Sequence, residues 1–167
     1  FEYTNNSAHI ENGIARLDAN VVYPQNTKAT YYKGFVNPID GKRYPAGGTY
    51  AVQAEHNRVR FATPKTDKTK MIVTMSVYRE DEEAQVVNTE YASDGSYVRL
   101  TFGDGTVCVV NLGETTDEVT DGTVTFKGVA ATYNENSIML TKGTALKYNG
   151  SSVVSGVKHP ITIALGN

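Results

Sequence analysis

The sequence predicts an all-β protein, an antiparallel β-sandwich with Greek-key or jelly-roll-like connections and roughly ten to twelve short strands; a β-barrel is the alternative closure. Three observations predict it. The 167 residues are rich in Val, Thr and Tyr, with 11 Tyr and no Trp, and such side chains suit a pleated, half-buried surface. Apolar and polar residues alternate with period 2 in several segments. Turn signals, Asp-Gly and Asn-Gly among them, recur about every 8 to 12 residues.

The first element spans 13–23. Ala15, Leu17, Ala19, Val21 and Tyr23 fall on one face, and Arg16, Asp18 and Asn20 on the other. A helical spacing competes: Ile10, Ile14, Leu17 and Val21, with Ser7 as a cap. Gly13 and the β-branched end favour the strand. Residues 1–24 are set apart as an N-terminal segment, and 25–167 as the sandwich domain. The N-terminal strand is offered either to the edge of a neighbouring subunit or to its own sheet.

The next strand covers 27–36. The loop 37–48 follows, with Pro38, Gly41, Pro45, Gly47 and Gly48, and suits a Greek-key crossover. Residues 49–54 and 58–63 read as a hairpin around Glu55-His56-Asn57. Residues 71–79 form a strand, 80–83 an acidic turn, and 84–93 a returning strand. Asp94-Gly95 and Gly103-Asp104-Gly105 then punctuate a three-strand meander, with Val98, Leu100 and Phe102 sharing a face. Strands at 123–127, 129–133, 137–141, 144–148 and 161–165 complete the chain. Lys142-Gly143 and Asn149-Gly150 are the turns among them.

Composition excludes several classes. Sixteen basic and 18 acidic residues give a net charge of −2, the wrong balance for a protein that neutralises phosphates, so no nucleic-acid partner is expected. No apolar run is long enough to span a bilayer, and no membrane insertion is expected. The single Cys108 forbids an internal disulfide and reads as a small buried hydrophobe. The chain opens at Phe1 rather than Met. A cleaved export signal would produce that start, and the expected location is extracellular, on a cell surface or in a virion.

No residue set carries a catalytic or cofactor signature. There is no phosphate-binding glycine loop opening a helix and no Gly-x-Ser-x-Gly elbow. His9, His56 and His159 are scattered, so no metal site and no cofactor are expected. Asp40, Asp94, Asp104 and Asp121 each precede Gly, which is turn chemistry. Tyr31, Tyr32 and Tyr50 are the candidates for stacking on sugar rings, as in a surface-displayed carbohydrate-binding module.

What remains is assembly. Arg58, Arg60, Lys65, Lys68 and Lys70 precede the strand 71–79, and Glu80, Asp81, Glu82 and Glu83 follow it. A strand of that length spans roughly 30 Å. One end of the domain is then basic and the other acidic, and copies would meet through unlike charges. The function expected is a non-catalytic structural subunit of an assembly: a filament or pilus subunit, or a phage capsid or tail component. Its partners are copies of itself or other subunits. Ala15, Leu17, Ala19 and Val21, with the nine charged residues above, are the assembly candidates.

Overall fold

The computed structural model describes residues 1–33, 57–155 and 161–164. Every regular element among them is a β-strand, sixteen in all, and the strands form four antiparallel sheets with no closed barrel. The all-β expectation holds. The chain divides into two compact units, Phe1–Ala84 and Gln85–Asn167.

The first unit contains β1 (Glu2–Tyr3), β2 (Ser7–Asn12), β3 (Ala15–Tyr23), β4 (Lys28–Lys33), β5 (Asn57–Ala62) and β6 (Ile72–Arg79). One sheet has the order β1-β2-β3-β6. The β2–β3 hairpin turns at Gly13, whose φ of +59° lies where L side chains are strained. That turn settles the competition between strand and helix. Ile10 and Leu17 become direct cross-strand partners, so their seven-residue spacing reflects a hairpin register and not two helical turns. β3 is paired along both edges, by β2 and by β6. The N-terminal strand is therefore occupied within its own sheet.

β4 and β5 form a separate pair, in register from Lys28↔Ala62 to Lys33↔Asn57. The expected strand 49–54, its turn with β5, the loop 37–48 and Tyr50 lie outside the described residues.

The second unit contains β7 (Asn88–Tyr91), β8 (Tyr97–Thr101), β9 (Val107–Asn111), β10 (Glu118–Thr120), β11 (Val124–Lys127), β12 (Ala130–Tyr133), β13 (Ser137–Thr141), β14 (Ala145–Tyr148), β15 (Ser151–Ser155) and β16 (Ile161–Ala164). Its sheets have the orders β16-β13-β12-β9-β8-β7 and β10-β11-β14-β15. Consecutive strands fall in opposite sheets as four pairs: β9 and β10, β11 and β12, β13 and β14, and β15 and β16. They keep the same neighbours in both sheets, so the unit is a meander folded over along a line across its middle. The two halves enclose one core of Val107, Val109, Val119, Val124, Phe126, Ala131, Tyr133, Ile138, Leu140 and Leu146. This is a sandwich in which strands change sheet at sharp bends.

The bends explain two glycines. Gly128 joins β11 to β12, and Gly143 joins β13 to β14. A Cβ on Gly128 would fall 2.8 Å from the Gly143 Cα, and one on Gly143 would strike the Lys127 carbonyl and lie 2.8 Å from both Leu140 methyls. Lys142-Gly143 is thus a change of sheet and not a hairpin between partner strands. Asn111 clamps the same line. Fully buried, it donates through Nδ2 to the carbonyls of Glu114 (2.9 Å) and Gly128 (3.1 Å) and accepts from the Gly113 N–H at 2.7 Å.

The meander β7-β8-β9 forms as expected. Its turns use the anticipated chemistry: Asp94 Oδ1 accepts from the Ser96 N–H and Asp104 Oδ1 from the Thr106 N–H, each at 2.9 Å.

Candidate functional site

The four-stranded sheet of the first unit has two unlike faces. In an antiparallel pair, directly opposed residues share a face. Register therefore places His9, Asp18 and Ser76 together, and Glu11, Arg16 and Tyr78 together, on one face. The other face carries Ala8 and Ile10 of β2, Leu17, Ala19 and Val21 of β3, and Val73, Met75 and Val77 of β6.

The polar face is a bonded network. His9 Nδ1 lies 2.6 Å from Asp18 Oδ1, and Tyr78 OH donates to Asp18 Oδ2 at 2.9 Å. His9 Nε2 lies 3.5 Å from Glu11 Oε1. Arg16 ties Glu11 and Glu80 at 3.1 Å each, and donates to the Gly13 carbonyl at 2.6 Å. The hydrogen bond to Asp18 holds the His9 pKa above its ordinary value. Desolvation, then the bond to Asp18, raises that of Tyr78. Both nitrogens of His9 face carboxylates, so the ring favours its charged form and offers no lone pair as a general base. Tyr78 is made less acidic, the opposite of an activated nucleophile. The network orders the sheet.

The apolar face is inverted relative to burial. Along β6 the polar alternates Thr74, Ser76 and Tyr78 are half-buried, while Val73, Met75 and Val77 are exposed. Met75 keeps 69% of its surface in solvent and Val77 keeps 76%. Ile10 and Met71 are also exposed, whereas Ala8 and Val21 are buried. Of the four expected apolar candidates on β3, Leu17, Ala19 and Val21 sit in the middle of this face, and Ala15 lies exposed at its end. Sequence reasoning missed Val73, Met75 and Val77. Their alternation with Thr74, Ser76 and Tyr78 was the available signal.

The charged candidates flank β6. Arg58 and Arg60 lie exposed on β5, Lys65 and Lys68 are exposed in the approach to β6, and Lys70 is half-buried. At the far end, Glu80 is bound by Arg16, Arg79 pairs with Asp81 at 3.1 Å, and Glu82 accepts from the Arg79 N–H at 2.9 Å. Glu83 is exposed. The separation of charge along β6 is present, and three of the four acids are engaged locally.

Two Tyr candidates occupy different settings. Tyr31 joins Phe1 and Tyr3 in an aromatic cluster, with ring centroids 5.4 and 5.9 Å away. Tyr32 lies under the Arg58 guanidinium, 4.9 Å from its ring centre. Phe1 and Tyr3 extend the aromatic set beyond the residues that the sequence singled out.

In the second unit, the Asp121 side chain is buried and organises a turn. Its Oδ1 accepts from the Thr123 and Val124 N–H groups, and its Oδ2 accepts from Tyr133 OH at 3.0 Å. Arg99 Nε stands 3.5 Å from Asp121 Oδ2, within ion-pair range, and Arg99 also binds Glu90 at 3.1 Å. Burial pushes the Cys108 thiol pKa up, the setting of an unreactive cysteine. A depression of about 290 Å³ is lined by Asp94, Tyr97, Glu118 and Thr120 among others. The hydrogen bonds of Ser96 hold the Asp94 pKa below its usual value, so that carboxyl is no proton donor near neutrality. Among the described residues, no group of three or more His, Cys, Asp or Glu is placed to hold a metal ion.

The chain matches no protein-family model, no curated protein and no solved structure.

Proposed function

We propose that this chain is a non-catalytic structural subunit of an extracellular, cell-surface or virion assembly, such as a filament or pilus subunit or a phage capsid or tail component. The supporting observation is the solvent-facing apolar row of Val73, Met75 and Val77, continuous with Leu17 and Ile10. A contiguous apolar surface of this kind marks a place where another protein sits. The polar groups of the first unit hold one another in pairs, which fits a scaffold better than a reaction centre. The test is native mass by light scattering over a range of concentrations, with negative-stain imaging. Association into discrete or regular particles supports the reading, and a monomer at every concentration, alone and with its host surface, refutes it.

One observation favours a second reading, a carbohydrate-binding module. Phe1 and Tyr3 are exposed and cluster with Tyr31. Exposed rings of this sort stack on sugar faces. Affinity electrophoresis against a panel of polysaccharides decides it: retardation abolished by Tyr3→Ala supports sugar binding, and unchanged mobility across the panel removes it.

A further inference from the structure

We infer that the apolar face of the β1-β2-β3-β6 sheet takes a second copy of this chain, face to face, about a two-fold axis that crosses β6 near Met75. The inference rests on the assembly reading above and specifies its contact.

The geometry begins with the face. Val73, Met75 and Val77 project from β6 at every second residue, beside Val21, Ala19 and Leu17 of β3 and then Ala8 and Ile10 of β2. Ala8 and Val21 are already buried within the chain, so the open part runs from Ile10 and Leu17 to Val73, Met75 and Val77, roughly 250 Å² on strands about 4.8 Å apart. Two such faces together bring roughly 500 Å² to the apolar centre. That is below the range of a stable standard interface, so the apolar contact alone gives a weak complex. Charge at the two ends must contribute.

Charge also selects the arrangement. Two sheets can stack through the same face about two kinds of axis in the interface plane. An axis along the strands sets like ends together: Lys65, Lys68 and Lys70 of one copy against the same lysines of the other, and Glu80 to Glu83 against themselves. An axis across the strands reverses direction and sets each basic end against the partner's acidic end, twice by symmetry. Like charges brought together oppose association, and unlike charges favour it. The second axis is the one this sequence supports. Met75, with three β6 residues before it and four after it, lies near the centre of reversal, so that row interdigitates with its own image. A contact of this kind is isologous and closes on itself. Any assembly larger than a dimer uses a further contact elsewhere on the chain.

The experiment is sedimentation equilibrium of the untagged full chain at 50 and 500 mM NaCl, with far-UV circular dichroism to confirm folding of each variant. Met75→Lys, at a solvent-facing position, weakens association by about tenfold or more. Val86→Lys, at an equally exposed valine outside the strands of this sheet, leaves it unchanged. Glu83→Lys and Lys65→Glu each weaken association, the double variant restores it, and high salt weakens the wild type. An associating chain whose Met75→Lys variant associates equally well overturns the inference and leaves the assembly reading standing. A Met75→Lys effect without rescue in the charge-swap pair overturns the orientation. A wild type that stays monomeric alone, at both salts and at the highest concentration reached, overturns the inference, and the assembly reading then rests on binding to a host surface.

Discussion

Asn111 offers the sharpest test of how the second unit is held in its bent form. Leucine at this position keeps the branched shape and the number of heavy atoms, and removes two donors and one acceptor. The Gly128 carbonyl belongs to a buried residue and would be left without the Asn111 donor. An orphaned buried group of this kind costs about 2 kcal/mol. The Gly113 N–H and Glu114 carbonyl belong to exposed residues, where water restores part of the loss, and each costs about 1 kcal/mol. The additional apolar surface buried by leucine offsets about 1 kcal/mol. The expected loss is therefore about 3 kcal/mol. Urea unfolding followed by circular dichroism reads it: with m of about 1–3 kcal/mol per molar, the midpoint of the transition falls by roughly 1 to 3 M. A fall below about 0.3 M at unchanged m would show that these bonds are not what fixes the fold line.

Gly143→Ala should cost about 3 kcal/mol, because its Cβ meets backbone. Gly150→Ala, at φ +79° with open space around it, should cost only about 1 kcal/mol; equal costs would deny the close approach of the two bends. His9 carries a pKa raised by its bond to Asp18. Its stabilising contribution is complete below the unfolded value near 6.5 and is lost as pH rises through the higher folded value. Thermal melts between pH 5.5 and 9 should show that loss, and His9→Gln should flatten it. Cys108 should react with a disulfide reagent at pH 8 about tenfold or more slowly in the native protein than in urea; equal rates would place the thiol at the surface.

Local signals were legible where the chain turns on itself at short range. Residues 137–141 were bounded as they occur, and the Asp94 and Gly103–Gly105 turns gave the β7-β8-β9 meander, because Asp-Gly chemistry acts over a few residues. β2 was hidden by a coincidence of spacing, since Ile10 and Leu17 satisfy both a helical stripe and a hairpin register. β10 is too short to carry a periodicity, with three residues, and β15 reads Ser-Ser-Val-Val-Ser, with no alternation of apolar and polar residues. Their place follows from the sheet order, which depends on contacts such as Gly128 to Gly143. Ala15, Leu17, Ala19 and Val21 share one face as the alternation predicts, whereas an irregularity after Val21 sets Tyr23 opposite Ile72, on the other face. Alternation along 72–79 shows that Val73, Met75 and Val77 share a face; that this face continues the β3 set depends on the register between β3 and β6, about fifty to sixty-five residues apart in the chain, which no local pattern contains.

The Asp-Gly and Asn-Gly turns also set how this molecule ages. At such pairs the glycine nitrogen can attack the preceding side-chain carbonyl carbon and close a succinimide, which reopens largely as isoaspartate. Closure requires the side chain to rotate toward the following peptide. Asp121 has both oxygens held, by two backbone N–H groups and by Tyr133, and its side chain is 1% exposed. Asp104 is held by Thr106, through its amide and its side chain, in an exposed turn. Asn149 stands exposed before Gly150 at φ +47°, and its amide is the better leaving group. Among these three turns, covalent damage on storage would begin between β14 and β15, reach the β8–β9 turn next, and come last to the turn between β10 and β11.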